Sequence, residues 1–267
     1  MKKIILCADD YGQSRSISTG ILQLVQAGRL SAVSCMSEGK EWHGTGHMLR
    51  EFKDRIDIGL HFNLTHPFPQ STAATLPLQM VLAKALSGRI DQNAVARALN
   101  LQLDAFEKII GKHPDFVDGH QHVHVFPGIR NVVIDCLRSR YAGEKPYLRA
   151  VNPSLMAPGG LLKLGFLKLL GSGFSRAAAR HGILTNARFA GIYPLQTESD
   201  FPNLMRAWIE KARSGDLLMC HPGCPASDDT DPSAPTRPLE LRYLSSPEFG
   251  LLLSEAGIRL SRMTELQ

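Results

Sequence analysis

Histidines and aspartates interrupt apolar runs at a few points along this chain, and the interruptions carry its reactive groups. The most specific is Asp118-Gly119-His120-Gln121-His122-Val123-His124. Read as an extended strand, its period of two puts Asp118, His120, His122 and His124 on one face. Imidazoles beside a carboxylate suit zinc or another divalent metal. The spacing leaves open which of the three histidines binds. Asp9-Asp10 ends the apolar run 4–8. Two adjacent carboxylates there repel each other and resist desolvation, a conflict that a bound cation or a nearby base resolves. A solvent-facing turn or helix cap is the plainer alternative.

His61 stands in Ile58-Gly59-Leu60-His61-Phe62-Asn63-Leu64, where alternation puts His61 and Asn63 on one face. Gly59 leaves room there for a ligand to approach closely. His221 follows Leu217-Leu218-Met219-Cys220 and precedes Pro222-Gly223, a place for a catalytic acid or base, or for a turn-capping histidine. Arg149, in Tyr147-Leu148-Arg149-Ala150-Val151, is suited to orient a carboxylate at the site or to form a plain salt bridge. His66 opens the loop after the third strand and is a weaker candidate for substrate contact.

The elements carrying these residues alternate. Strands are expected near 3–8, 30–36, 56–64, 116–125, 147–151, 187–192, 217–220 and 258–261. Helical spacing covers 17–28, 78–87, 92–110, the stretch after Pro127, 160–181, 202–213 and 246–256. A Pro-bearing loop spans 66–77 and a polar, Pro-rich one 222–238. This order implies an α/β chain forming a (β/α) barrel related to the TIM barrel, with distorted or seven-stranded forms included. An open doubly wound sheet is the alternative. No repeat or low-complexity linker divides the chain, so residues 1–267 read as one domain. In a barrel the strand C-termini meet on one face. Five strands would therefore deliver ionisable groups to one mouth.

Composition narrows the function classes. With 43% hydrophobic and 21% charged residues in 267, the chain is globular rather than disordered or fibrous. Lys and Arg total 30 against 25 Asp and Glu, but the excess is scattered, which argues against nucleic acid as a partner. The first strand ends in Ala8-Asp9-Asp10-Tyr11-Gly12 in place of a Gly-rich phosphate loop, which argues against a nucleotide cofactor. The five cysteines are odd in number and widely spaced, so free thiols are expected. No secretory signal or membrane-spanning run is visible, and a cytoplasmic location is the expectation.

Four motifs together resemble one known family. Ala8-Asp9-Asp10-Tyr11-Gly12, Gly59-Leu60-His61-Phe62-Asn63-Leu64-Thr65, Asp118-Gly119-His120-Gln121-His122-Val123-His124 and His221-Pro222-Gly223 are similar, in the same order, to those of the YdjC-type carbohydrate deacetylases (ChbG/HpnK-like). The resemblance implies a barrel-like fold and metal-dependent removal of an acetyl group from an N-acetylated sugar, free or lipid-linked. It implies one divalent ion, zinc or magnesium first and cobalt or nickel next, held by Asp10, His61 and His120. It further implies Asp9 as general base and His221 as general acid; on the mechanism that follows, Arg149 is placed to hold Asp9 in orientation. Tyr11, Asn63, His122 and His124 become residues that contact substrate or support the ligands. A homodimer is a reasonable expectation, and the sugar itself stays open. Three other readings compete: a two-histidine, one-carboxylate iron oxygenase, a metal-dependent phosphoesterase, and a sugar-binding barrel without activity.

Overall fold

The computed structural model describes residues 1–69, 71, 74–152, 165, 169–195, 199–226 and 231–266. Its strands are β1 (Lys2–Tyr11), β2 (Ala32–Cys35), β3 (Asp57–Phe62), β4 (Phe116–Gly119), β5 (Tyr147–Leu148), β6 (Phe189–Ala190), β7 (Leu217–Cys220) and β8 (Ile258–Leu260). They form one parallel sheet in the order β5-β4-β3-β2-β1-β7-β6, with β8 paired to the start of β1. Parallel strands covered on both faces must be apolar throughout. β1 meets that demand, since Ile4 to Ala8 have no exposure at all.

The outer edges of the sheet are joined by irregular contacts. Leu148 N–H donates to Leu184 O at 2.9 Å, and Asn186 grips Ala150 through its amide oxygen (2.7 Å) and nitrogen (3.0 Å). The sheet is therefore a distorted (β/α) barrel of seven strands in its main path. An asparagine side chain stands where a regular barrel would continue its ladder.

The helices are α1 (Arg15–Gln26), α2 (Trp42–Thr45), α3 (Leu78–Leu86), α4 (Gln92–Ile110), α5 (Ile129–Arg140), α6 (Phe174–Arg180), α7 (Phe201–Lys211), α8 (Arg237–Ser245) and α9 (Pro247–Glu255). α1 begins at Ser14, whose side chain accepts from Ile17 N–H, and it buries Ile17, Ile21, Leu24 and Val25. A Cβ at Gly20 would lie 2.8 Å from Gly223 Cα, so this glycine lets α1 pack directly on the loop that follows β7. Cys224 N–H donating to Ser16 O at 3.0 Å fixes the same contact. The turn that follows His221 is thereby held against the helix that follows Asp9 and Asp10. Among the described residues no helix is long and apolar enough to cross a membrane. All five cysteines are free, and Cys7, Cys35 and Cys220 are buried.

Three expectations are corrected. Residues 116–125 do not form one strand: β4 stops at Gly119, and His120–Val125 turns in a 3-10 segment with Gln121 (φ 53°) and His122 (φ 62°) left-handed. The period-two alignment of Asp118, His120, His122 and His124 is lost, because the chain folds back until His124 packs on Gly119. Gly59 makes room for a ring rather than a ligand, since a Cβ there would lie 2.4 Å from the Phe116 ring. The 222–238 segment ends in a helix start, with Pro238 in the first turn of α8 where a missing N–H costs nothing. Most of the expected 160–181 helix, and residues 70, 72 and 73 of the 66–77 loop, lie outside the described residues.

Candidate metal centre

Neighbouring side chains on a strand normally point to opposite faces. Asp9 and Asp10 escape this rule. The pairing of β1 with β2 slips between Ala8 and Tyr11, and Asp10 takes φ 74°, a conformation uncommon outside glycine. Both carboxylates consequently line one cavity of about 370 Å³. Pairing of β3 with β4 sets His61 beside Asp118, and His120 opens the 3-10 segment directly after β4 ends. The rings of His61 and His120 lie edge to face, 5.5 Å apart.

Asp10 Oδ1 is the meeting point. His61 Nε2 lies 3.3 Å from it and His120 Nδ1 3.2 Å, and these three residues form a candidate metal-binding group. Asp10 is 2% exposed, yet Oδ1 has no hydrogen-bond partner. The contacts of the His61 ring bear on that oxygen. Its Nδ1 faces Asp118 Oδ1 at 2.7 Å, and Ser34 Oγ donates to the same oxygen at 2.6 Å. With Nδ1–H given to Asp118, a neutral ring aims its Nε2 lone pair at a carboxylate oxygen, an arrangement that calls for positive charge between them. The charges around the ring make the same demand. Burial disfavours an imidazolium, but Asp118, Asp9 and Asp10 outweigh it and push His61 up to about 10. A divalent cation answers the same demand, and the donor set fits one: two imidazoles and a carboxylate, with a carboxylate behind the histidine.

A second group, Cys7, Asp9 and Asp118, is equally close-set but already holds a cation. Arg149 is fully buried among them. Its Nη1 donates to Asp9 Oδ2 at 2.6 Å, and its Nη2 lies 2.6 Å from Asp9 Oδ1, 2.6 Å from Asp118 Oδ2 and 3.0 Å from Cys7 Sγ. Against the penalty of burial, Arg149 and His61 hold Asp118 well below the usual carboxylate range.

The opposite side of the site is built by residues that motif reading passed over. Arg237 Nη2 donates to Asp10 Oδ2 at 2.6 Å, and Arg237 Nε donates to Asp231 Oδ2 at 2.5 Å. Although burial opposes it, Arg237 leads the groups that keep the Asp10 carboxyl well below its ordinary value. Glu240 Oε2 accepts from His221 N–H at 2.6 Å, and Glu240 also accepts from the Tyr193 hydroxyl. His221 lines the cavity with its Nδ1 unpartnered; burial lowers its pKa, while Asp10 and Asp9 pull the other way.

The remaining sequence candidates divide. His122 lines the cavity, edge-on to Phe189. His124 is fully buried, its Nε2 lies 2.8 Å from Arg149 O, and burial brings it down to about 4. Tyr11 has no exposure and gives its hydroxyl proton to Thr45 O at 2.8 Å. Asn63 shapes the loop after β3, accepting from Thr65 N–H and His66 N–H and donating to His66 O. His66 stands near the centre, its ring 6.0 Å from that of His120.

Known proteins are similar to this chain in sequence or in fold. A human carbohydrate deacetylase is 27% identical, covering 99% of this chain and 91% of its own. A chitooligosaccharide deacetylase from Enterobacter sp. (strain 638) is 26% identical, covering 99% of each. A crystal structure from Enterococcus faecalis V583, of a protein named for cellobiose-phosphate cleavage, superposes with a TM-score of 0.71 at 18% identity. It covers 99% of this chain and 98% of its own, and the likeness shows the fold. The model of the YdjC-like proteins matches residues 3–255, which takes in all four motifs and both arginines at the centre, and this chain belongs to that family.

Proposed function

We propose that the protein is a metal-dependent carbohydrate deacetylase, hydrolysing the acetamide of an N-acetylated sugar to acetate and a free amine. The observation that supports this reading best is the convergence of Asp10, His61 and His120 on one buried, unsatisfied oxygen at the wall of a cavity. Two imidazoles and one carboxylate suit zinc, cobalt or nickel better than magnesium. When bound, such an ion supplies Lewis acidity toward the acetamide carbonyl and the attacking water.

The chain's own residues do the proton work. Asp9 is clamped by Arg149 on both oxygens, which fixes the carboxylate in place and aims its remaining lone pairs. It takes a proton from the attacking water as the carbonyl carbon becomes tetrahedral. His221 stands in the same cavity and donates a proton to the sugar nitrogen as the C–N bond breaks. His120 and His122 sit with it on the cavity wall, where the sugar enters. The related deacetylases over nearly the whole chain favour this reading over an oxygenase or phosphoesterase.

Zinc- and cobalt-loaded protein should be incubated with N-acetylglucosamine oligomers and with N-acetylated glycolipids. Release of acetate with an equal amount of free amine is expected. No acetate from any of them, with turnover of an aryl phosphate instead, would overturn the reading.

A further inference from the structure

The first turn of α8 carries two charged residues three positions apart, Arg237 and Glu240, and both are buried, at 3% and 0% exposure. A buried guanidinium is tolerated when its fork is filled. Arg237 fills it on three sides. Nη2 donates to Asp10 Oδ2 at 2.6 Å, Nε donates to Asp231 Oδ2 at 2.5 Å with Nη2 3.2 Å from Asp231 Oδ1, and Nη1 reaches His221 O at 3.4 Å. Asp231 is itself fixed, its Oδ1 accepting from Ser233 N–H at 2.9 Å. The guanidinium is thus braced from behind before it touches Asp10.

That brace decides which oxygen Asp10 can offer. A carboxylate on a free side chain can rotate, present both oxygens to a cation, or turn away. With Oδ2 taken by Arg237, only Oδ1 is left, and it is the oxygen that faces His61 and His120. We propose that Arg237, braced by Asp231, is a positioning residue that locks Asp10 into single-oxygen presentation and so sets the affinity of the centre for its cation. The inference rests on the reading of Asp10, His61 and His120 as ligands. It adds a support that none of the four motifs contains.

Zinc affinity tests it without recourse to turnover. Full-length protein stripped with a chelator should be titrated with Zn²⁺ against a chromophoric competitor, for wild type, His61→Ala, Arg237→Ala, Arg237→Lys and Asp231→Asn. Thermal unfolding of the metal-free proteins runs alongside. Loss of an outer partner of a metal ligand weakens binding about 10–100-fold, the range expected for Arg237→Ala. Arg237→Lys should fall between it and wild type, because a lysine keeps the charge but cannot fork to Asp10 and Asp231 together. A merely structural role would lower the metal-free Tm and leave the zinc constant unchanged, and that result overturns the proposal. If Arg237→Ala does not fold, wild-type affinity in both Arg237→Lys and Asp231→Asn overturns it, and weakening in either supports it. Equal zinc binding by wild type and His61→Ala would sink the ligand reading itself, whereas weakening by His61→Ala alone would remove only Arg237.

Discussion

Asp9 and Asp10 are adjacent in sequence, equally buried, and each is held by an arginine, yet the two arginines leave them with different chemistry. Arg149 comes from the edge of β5 and takes both oxygens of Asp9. Arg237 comes from α8 on the other side and takes one oxygen of Asp10. A carboxylate clamped on both oxygens has spare lone pairs but no bare oxygen to give a cation. One held on a single oxygen has its other oxygen exposed to whatever stands opposite, here His61 and His120. The proposed base and the proposed ligand are the same residue type, divided by which oxygens an arginine occupies.

The largest effect that tests this division is on turnover. Asp9→Asn keeps the shape of the side chain and removes its capacity to accept a proton. Deacetylation should drop by about 10²–10⁴-fold, the usual worth of a positioned base. Zinc content, measured by elemental analysis, should stay at the wild-type level. Loss of metal from this variant would mean that Asp9 is a ligand and that the two aspartates are not divided as described.

How these arms appear in sequence differs as well. Arg149 interrupts an apolar strand, so its charge stands out, and the same signal exposed Asp9, Asp10, His61 and His221. Ser34 carries a weaker form of it, a small polar residue inside the fully buried β2. Arg237 and Asp231 sit in a polar, Pro-rich stretch where charge is ordinary, Glu240 follows just past its end, and Arg237 lies 227 residues from the aspartate it holds. Nothing local marks them. The strand–helix alternation is written in hydrophobic periodicity, and the helices expected at 78–87, 92–110, 202–213 and 246–256 end within two residues of those found. The fold-back after Gly119 is not written that way. Histidines at every second position imitate a strand, while the left-handed Gln121 and His122 go with the packing of His124 on Gly119.

The next effect in size falls on stability. Arg149→Met fills a similar space but leaves Asp9 and Asp118 as buried carboxylates without their cation. Removing one partner of a buried ion pair costs about 3–5 kcal/mol. Urea unfolding of the metal-free proteins at pH 7 should show a loss of that order. A change below about 1 kcal/mol, the scale of a surface pair, would mean that water or relaxation replaces Arg149 and that its arm is not a fixed clamp.

The smallest effect separates the arms by their response to pH. On the Arg149 side, Asp118 stays ionised far below neutrality. The Arg237 side holds Glu240, which burial lifts from an ordinary value of 4.5 to about 7 in spite of Tyr193, His221 N–H and Arg237 pulling it down. Below pH 4.5 the carboxyl is protonated in both folded and unfolded chains and contributes nothing to pH dependence. Between about 4.5 and 7 the unfolded chain has released its proton while the folded one retains it, so stability falls as pH rises. Above 7 both forms are ionised and the loss levels off. Glu240→Gln removes the titration. The stability of wild type minus that of the variant, from urea curves at pH 4.5 to 8, should therefore decline across this window and then flatten. A difference that stays level would mean that the Tyr193 and His221 donors keep Glu240 ionised throughout, and the two arms would then respond to pH alike.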